Sequence, residues 1–222
     1  MKITSFKYFY PEAPRLLHID QPLFQKLSDD PMWVAEPKYN EQRLQLHVFP
    51  GTFHLLGLIA AKHENRSPKK NGIVFEFWDR HGNLLSYVPS EEILTVLHRV
   101  VPSMNTYCLF DGGLRHNKVP GIKHKIMLYD VFIWQGDLLI GKPFWYRRNI
   151  LKKIAKCEGD PLGIPPQYRT DFRRAFEDLI QDPEIEGLVI KNTRGLLELG
   201  RTSAVNSKWM WKVRKESGRY RF

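Results

Sequence analysis

The sequence is poor in cysteine and contains no long apolar segment. Its two cysteines, Cys108 and Cys157, are far apart and have no metal-ligand spacing, which predicts free thiols in a reducing compartment. No run of about 20 apolar residues occurs, which excludes a membrane-spanning helix. The N-terminus, MKITSFKYFYPEAPR, lacks the apolar centre of a secretory signal. We therefore expect a cytoplasmic protein with no membrane partner.

Other familiar patterns are also missing. The sequence contains no glycine-rich strand-to-helix turn of the Rossmann or Walker type, no internal repeat and no low-complexity linker. These absences argue against the common dinucleotide-binding and P-loop folds and against repeat architectures. Its 222 residues are enough for a well-buried core, so we expect one domain spanning residues 1–222 and a monomer.

Positive charge is in excess. There are 34 lysines and arginines against 24 aspartates and glutamates, a formal net charge of +10. Such an excess favours polyanionic partners, through phosphate contacts and counterion release. The segment KHENRSPKKNG at 62–72 is predicted to be an exposed basic loop, and this loop and the tail 212–221 are candidate nucleic-acid contacts. For both, solvated surface charge is the alternative.

Periodic patterns predict strands interrupted by a few helices. Strands are predicted where apolar and polar residues alternate, as in RLQLHVF, or where short apolar runs are bounded by turns. The predicted strands are 43–49, 53–59, 73–79, 107–110, 126–134, 188–191, 195–199 and 209–214. Turns are predicted at FPGT, HGN and QGD. Amphipathic spacing predicts helices at 22–28, 89–100, 144–157 and 170–181, with Ser90 and Thr170 as N-caps. We therefore expect an α+β fold with mainly antiparallel sheets flanked by helices.

A lysine in the segment EPKYNEQR, residues 36–43, has the surroundings of a nucleophile. Lys38 directly precedes a predicted strand, with Glu36 two residues earlier and Arg43 five residues later. The segment resembles the nucleotidyl-lysine motif, Lys-x-Asp-Gly-x-Arg, of ATP-dependent ligases and mRNA-capping enzymes. It departs from that motif because Asn40 and Glu41 stand where Asp and Gly are usual.

Further segments resemble the same superfamily in the same order along the chain. They are RHGN at 80–83, LFDGGL at 109–114, LYDVF at 128–132, an arginine pair at 147–148, EGLVIK at 186–191 and WKVR at 211–214. Gly113 stands where a glutamate is usual, and Arg214 replaces a second lysine. The resemblance extends from residue 33 to about residue 214. It implies the nucleotidyltransferase fold (an ATP-grasp-like ligase fold) of ATP-dependent polynucleotide ligases.

The resemblance implies that Lys38 attacks the α-phosphate of ATP and forms a lysyl-AMP. The AMP then activates a 5′-phosphate end, which is joined to a 3′-hydroxyl end in a nicked or splinted DNA or RNA duplex. A lysine nucleophile must be neutral, and Lys191, Lys212 and Arg43 would supply the neighbouring cations that lower its pKa. The same cations would neutralise phosphate charge.

Nucleotide recognition and metal binding also follow from the resemblance. Glu36 would accept a hydrogen bond from the adenine amine, Tyr129 would stack on the base, and Arg43 and Arg80 would approach the ribose and phosphates. Glu186 and Asp111 are the candidate ligands of Mg²⁺ or Mn²⁺. Each residue also has an ordinary alternative. Glu36 and Lys212 could be solvated charges, Tyr129 could be core, and Glu186 and Asp111 could belong to turns.

Departures from the family pattern leave other functions open. Because Gly113 removes a carboxylate and Glu41 adds one, we hypothesise that Glu41 supplies the acid missing at position 113. One alternative is a capping-type guanylyltransferase that uses GTP. The other is a non-catalytic nucleic-acid-binding module with a remnant nucleotide pocket. Only ten residues follow Lys212, so we expect no C-terminal OB-fold domain within this sequence, which is either part of a longer protein or a naturally minimal ligase. Because short ligases of this kind are common in viruses, the resemblance implies a viral origin. We then expect the protein to act in the cytoplasm of the host cell, with a role in DNA repair.

Overall fold

The computed structural model describes residues 2–50, 69–70, 73–100, 106–116, 120–157, 161–198 and 205–215. In chain order its elements are β1 (Ala13–Leu16), α1 (Pro22–Asp29), β2 (Trp33–Tyr39), β3 (Gln42–Phe49), β4 (Lys69–Lys70), β5 (Ile73–Trp78), α2 (Glu91–Val100), β6 (Cys108–Arg115), β7 (Lys125–Trp134), β8 (Asp137–Leu138), α3 (Phe144–Ile154), β9 (Lys156–Cys157), β10 (Leu162–Ile164), α4 (Phe172–Leu179), β11 (Ile185–Asn192) and β12 (Asn206–Arg214). The predicted α+β class is confirmed. None of the helices within these ranges is long and apolar enough to cross a membrane.

The chain divides into two compact units, each built on one sheet. The large unit comprises Met1–Phe9, Glu41–Lys142 and Tyr146–Ile164, and the small unit comprises Tyr10–Asn40, Pro143–Trp145 and Pro165–Phe222. The large sheet has the strand order β4-β5-β3-β6-β7-β10-β9, with β8 paired to β7, and the small sheet has the order β1-β12-β11-β2. Most pairs are antiparallel, as predicted. The parallel pairs are β1 with β12 and β10 with both β7 and β9.

The small unit has one apolar core on one face of its sheet. Helices α1 and α4 cover this face, and the buried cluster consists of Leu17, Phe24, Leu27, Ala35, Phe172, Phe176, Leu188, Ile190 and Val213. Fully burying a side chain of leucine or phenylalanine size stabilises a fold by about 1.5–3 kcal/mol. This cluster fixes which face of each strand points inward, so the alternate residues of the strands must point to the opposite face.

The large sheet is buried on both faces near its centre. In β3 every residue from Leu44 to Phe49 is buried. This includes Gln45 and His47, the polar residues of the predicted alternation. Gln45 exchanges two hydrogen bonds with the backbone of Phe9, and His47 Nδ1 lies 2.7 Å from the hydroxyl of Tyr107. These partners satisfy the Gln45 amide and one ring nitrogen of His47, whose Nε2 is buried without a hydrogen-bond partner among the described residues.

Several predicted boundaries are confirmed and others are wrong. Helix α2 begins after Ser90, whose Oγ accepts from the Ile93 N–H at 3.3 Å. The helix predicted over 144–157 ends at Ile154, because the next residues form β9 and pair with β10. Residues 195–198 form no strand and contribute one isolated bridge, between Leu196 and Pro143. The strand expected at 53–59 and the FPGT turn fall, wholly or in part, outside the described residues.

Two corrections have clear local causes. Helix α4 is capped by Asp171 rather than Thr170, because Asp171 takes a left-handed conformation (φ 50°) and accepts from the Arg174 N–H at 3.2 Å. Strand β6 continues through Asp111 and Gly112 instead of turning there, because both residues pair with β7. A Cβ atom at Gly112 would lie 2.4 Å from the Met127 carbonyl oxygen, so glycine is needed for this close pairing. Within the predicted basic loop, residues 69–70 instead form strand β4, and residues 62–68 and 71–72 lie outside the described part.

Candidate functional site

One face of the small sheet collects residues from three motifs that are distant in sequence. Because Ala35, Ile190 and Val213 point into the core, the alternate residues of β2, β11 and β12 share the opposite face. The strand register places Val189 across from Glu36 and Lys212. The residues of this small-sheet site face are Glu36, Lys38, Val189, Lys191, Met210, Lys212 and Arg214.

Lys38 is ion-paired with Glu186 on this face. Lys38 pairs with Gly187 in the sheet and Tyr39 pairs with Ile185, so Glu186 is the extra residue of a β-bulge. A bulge re-aims a side chain out of the regular alternation, which is how Glu186 reaches Lys38. The two side chains are 21% and 34% exposed, so both remain accessible to a ligand.

Gly187 is required by the backbone around it. Its φ is +149°, and a Cβ atom at this position would lie 2.0 Å from the carbonyl oxygen of Val213. No side chain fits at such a distance, and only glycine adopts this conformation readily. The glycine of the segment EGLVIK therefore lets β12 approach the bulge that aims Glu186.

Lys191 and Glu36 form a buried ion pair beside Lys38. Lys191 Nζ lies 2.6 Å from Glu36 Oε2, and the side chains are 7% and 1% exposed. Gln167 donates to Oε1 of the same carboxylate at 2.8 Å, and Lys191 Nζ lies 4.7 Å from the ring centroid of Phe144. Sequence reasoning missed Gln167 and Phe144 as site residues, because both stand outside the motifs.

Lys212 lies in a positive environment on the same face. Its pKa is lowered by burial, and the charges of Arg214 and Lys38 lower it further. Arg214 Nε lies 3.9 Å from Glu186 Oε2, so Glu186 faces both Lys38 and Arg214. Arg214 could have been predicted as a site residue from the WKVR segment, because it stands at the position of the second lysine of the family motif.

In the large unit, Arg43 and Asp111 form a two-pronged ion pair. Nε and Nη2 of Arg43 each donate to one oxygen of Asp111 at 2.6 Å. Burial lowers the pKa of Arg43, but the charge and hydrogen bonds of Asp111 outweigh it, so the net shift is upward. Asp111 is 5% exposed, and a metal ion would have to compete with the guanidinium for its oxygens.

The two departures from the family pattern in this unit touch each other. A Cβ atom built on Gly113 would lie 1.8 Å from Cδ of Glu41, and 1.9 and 2.0 Å from its two carboxylate oxygens. The Glu41 side chain thus fills the space in which a side chain at position 113 would begin. Arg43 pairs directly with Gly113 across the sheet, and the charge of Glu41 contributes to the raised pKa of Arg43.

The remaining predicted residues of the large unit have mixed surroundings. Tyr129 is half-buried and is the extra residue of a bulge in β7, because Asp130 pairs with Asp111 while Leu128 pairs with Gly112. Arg80 is exposed in a turn, with Nε 3.1 Å from Nε2 of His81. The nucleotide contacts assigned to Tyr129 and Arg80 stay predictions.

Asp130 has a structural partner that the motif did not reveal. Its oxygens accept from Nε and Nη2 of Arg147 at 2.7 and 2.8 Å, and Arg147 is fully buried. A third nitrogen of Arg147 donates to the carbonyl of Lys142. Asp130 of the aromatic–Asp segment and Arg147 of the arginine pair therefore form a buried ion pair between strand β7 and helix α3.

A divalent cation fits Glu186 better than Asp111. Glu186 offers a partly exposed carboxylate, the donor that Mg²⁺ prefers, whereas both oxygens of Asp111 are held by Arg43. Among the described residues, no three or more His, Cys, Asp or Glu side chains gather as a ready metal cluster. A metal at Glu186 would therefore need phosphate oxygens or water as its other ligands.

No protein-family model and no curated protein matches the sequence, but solved structures match the fold. Mycobacterial DNA ligase D complexed with ATP has a TM-score of 0.61 at 14% identity, over 95% of this chain and 61% of that one. A Lig E DNA ligase gives 0.52 at 12%, over 92% and 68%. The ATP-dependent DNA ligase of bacteriophage T7, in complex with ATP, gives 0.55 at 14%, over 92% and 68%.

These similarities cover nearly the whole of this chain but only part of the other proteins. The chain spans about three fifths of the length of the two ligase D structures that it matches. At identities of 12–15% the likeness concerns the fold. The protein has the α+β nucleotidyltransferase fold of the adenylation domains of ATP-dependent DNA ligases.

Proposed function

We propose that the protein is an ATP-dependent polynucleotide ligase core that forms a lysyl-AMP at Lys38. The observation that carries this proposal is the convergence of Lys38, Glu186, Lys191 and Lys212 on one face of the small sheet. A reactive lysine, a carboxylate beside it and two further cations are what nucleotidyl transfer to lysine requires. An ordinary solvent-exposed sheet face does not require a β-bulge that directs Glu186 toward Lys38.

In the first step, the lone pair of Lys38 Nζ forms the bond to the α-phosphorus and the bond to pyrophosphate breaks. Glu186, hydrogen-bonded to Lys38 Nζ, would hold the amine in position for the attack, and the proton that the amine must lose would pass to solvent. Lys212, whose own pKa is lowered by burial and by the charges of Arg214 and Lys38, lies on the same face and would neutralise charge on the phosphate oxygens. Lys191, held by Glu36, contributes a fixed positive charge toward phosphate oxygens.

Metal and nucleotide contacts complete the proposal. Mg²⁺ or Mn²⁺ held at Glu186 would neutralise charge on the phosphate oxygens and the leaving pyrophosphate. Arg43 and Arg80 are proposed contacts of the ribose and phosphates, and Tyr129 of the base. For Glu36 to accept from the adenine amine, it would have to share an oxygen that also binds Lys191 or Gln167.

The later steps act on a polynucleotide end. The AMP passes from Lys38 to a 5′-phosphate, and a 3′-hydroxyl then attacks that activated phosphate and expels AMP. Each step is a transfer at phosphorus, so positioning and electrostatics carry most of the catalysis. The substrate is proposed to be a nicked or splinted duplex, since the net charge of +10 favours phosphate backbones. The protein is proposed to act as a cytoplasmic monomer.

Covalent labelling distinguishes the three candidate functions. The purified chain is incubated with Mg²⁺ and α-labelled ATP or GTP, and label on protein is located by peptide mapping. ATP label on Lys38 supports the ligase, GTP label supports a capping-type guanylyltransferase, and absence of both supports a nucleic-acid-binding module. Lys38→Ala should abolish labelling. Lys26→Ala is the matched control, because Lys26 is an exposed lysine of the same unit on helix α1.

A further inference from the structure

A cavity of about 400 Å³ opens in the large unit, and its walls include Gln42, Ser86, Tyr87, Val88, Leu114 and His116. Gln42 pairs with Leu114, whereas the next residue, Arg43, pairs with Gly113. Successive side chains of a strand point to opposite faces of the sheet. The cavity, called the Tyr87 pocket below, therefore lies on the face of the large sheet opposite Arg43 and is separate from the Arg43–Asp111 pair.

Tyr87 and two histidines form a connected polar cluster at this pocket. The hydroxyl of Tyr87 lies 2.9 Å from Nδ1 of His124, and the backbone N–H of His124 donates to Nδ1 of His116 at 3.2 Å. The centroids of the two imidazole rings are 4.6 Å apart. Because Nδ1 of His116 accepts a hydrogen bond, the neutral ring carries its proton on Nε2, which is the nitrogen able to donate to a ligand.

The backbone and the charges around this cluster also indicate a binding site. His124 has a φ of 55°, a left-handed conformation that few residues other than glycine adopt and that tends to occur at ligand sites. Burial lowers the pKa of His116, and electrostatic interactions with His124 and Lys123 lower it further. Among the described residues, the pocket walls carry no acidic side chain, and Lys123 lies close enough to His116 to affect its pKa. A phosphate at this place would therefore meet an ammonium group and an imidazole N–H, with no carboxylate among the described wall residues to repel it.

We propose that the Tyr87 pocket binds one nucleotide of a polynucleotide strand. The base would lie against Tyr87 and Val88, and its phosphate would lie near His116 and Lys123. Bases stack on aromatic side chains whatever their sequence, and basic side chains track the backbone. The pocket volume lies near the lower end of the ~300–1,000 Å³ of small-molecule sites, which suits a single nucleotide. Val88 is 79% exposed, as a residue that contacts a base at the rim would be.

This proposal rests on the proposed function only for the choice of a polynucleotide as ligand. A nucleotide in this pocket would be a contact additional to the ATP-binding residues, because the pocket faces away from Arg43. It would let the catalytic core hold a strand through its own side chains. A protein ligand is the competing occupant, and the test below separates the two.

The first measurement is the binding of a fluorescent nicked DNA duplex, by anisotropy, to the full chain. Val88→Glu adds a negative charge at the rim and should raise the Kd at least about fivefold. Ile140→Glu is the matched control, because Ile140 is another exposed apolar residue of the large unit, 40% exposed, and lies outside the pocket walls. An equal change in both variants, or none in Val88→Glu, would overturn the proposal.

The second measurement uses the unmodified chain, so it does not depend on the folding of a variant. A duplex carrying 5-iodouracil is crosslinked by light, and the crosslinked peptide is identified by mass spectrometry. Attachment at Tyr87 or His116 is expected. A protein that binds no polynucleotide, or that crosslinks only elsewhere, would contradict the proposal. Labelling of Lys38 by ATP, measured on the same samples, reports on the proposed function separately, because the Tyr87 pocket is not needed for that step.

Discussion

The Glu41 carboxylate lies where the Cβ atom of any larger residue at position 113 would have to be, within 1.8–2.0 Å. Position 113 can therefore be only glycine while Glu41 keeps this conformation. The two departures from the family motif are thus one coupled change in three dimensions, although they are 72 positions apart in the sequence. The geometry fits the hypothesis that Glu41 supplies the acid missing at position 113.

This coupling can be tested by exchanging the two residues. If Glu41 supplies the missing acid, Glu41→Gly should slow adenylation of Lys38 by at least about tenfold, and the double variant Glu41→Gly, Gly113→Glu should restore much of the rate. Gly113→Glu alone should destabilise the fold, because two side chains would compete for one space. Single-turnover labelling with ATP measures the rates. Unchanged or faster adenylation in Glu41→Gly would rule the compensation out.

The buried Glu36–Lys191 pair should show strong coupling in stability. Lys191→Met leaves a buried carboxylate without its cation and should cost about 3–5 kcal/mol of unfolding free energy. Adding Glu36→Gln to that variant should recover much of the loss, because the uncompensated charge is gone. Urea unfolding of the wild type, both single variants and the double variant measures this cycle.

A matched surface pair sets the scale for that experiment. Arg174 and Asp178 are 3.7 Å apart and are 79% and 73% exposed. Arg174→Met should therefore change the unfolding free energy by only about 0–1 kcal/mol. Additive effects of Lys191→Met and Glu36→Gln, with no coupling, would show that the two side chains are not paired in solution.

Gly187 should tolerate no side chain. Gly187→Ala combines a φ of +149° with a Cβ atom 2.0 Å from the Val213 carbonyl, so we expect a loss of about 3 kcal/mol or more. Gly141→Ala is the control, because Gly141 has a φ of +75° but nothing within 4 Å of its Cβ position. It should lose only about 1 kcal/mol. Equal losses in urea unfolding would show that the close approach of β12 does not matter.

His47 should make the fold sensitive to acid. Burial lowers the pKa of His47 to about 3, so the folded state keeps the ring neutral while the unfolded chain takes up a proton below its ordinary pKa of about 6.5. The stabilising contribution is complete above about pH 6.5 and is lost as the pH falls toward 3. From about pH 7 to about pH 5 this group should remove about 2 kcal/mol of unfolding free energy.

The pH dependence is measured by urea unfolding at several pH values in the wild type and in His47→Gln. The variant should show a smaller loss on acidification, whatever its stability at neutral pH. His18→Gln is the control, because His18 is exposed, and its pH profile should parallel that of the wild type. A His47→Gln profile parallel to the wild type would mean that His47 is protonated in the folded protein.

Short-range patterns were enough to predict much of this fold. The apolar alternation of β3 and β7, the Ser90 cap and the four helices were all foreseeable, because local sequence dictates them. The cap of α4 was assigned one residue too early, since Thr170 and Asp171 are both good capping residues and only the backbone turn selects between them. Helix α3 was predicted too long, because β9 exists only through its pairing with β10.

The candidate site also contains some residues that the sequence predicts and others that it does not. Lys38, Glu186, Lys191 and Lys212 could be found from motifs, because each motif carries its chemistry in a few adjacent residues. Gln167 and Phe144 could not be found in this way, since each contacts the site from a distant part of the sequence. Phe144 contacts Lys191, 47 positions away, and Gln167 binds Glu36, which is farther still. No periodic pattern records such a contact.

The sequence by itself determined which residues alternate along each strand and which side chains offer phosphate chemistry. A strand's period of two residues assigns each side chain to one of two faces, but it does not say which strand lies beside it or in what register. Only the tertiary structure decided that Glu186 bulges out of β11 to reach Lys38, and that Glu41 fills the space over Gly113. Both relationships come from pairing between distant segments, because register and bulges are set by the packing of the whole sheet.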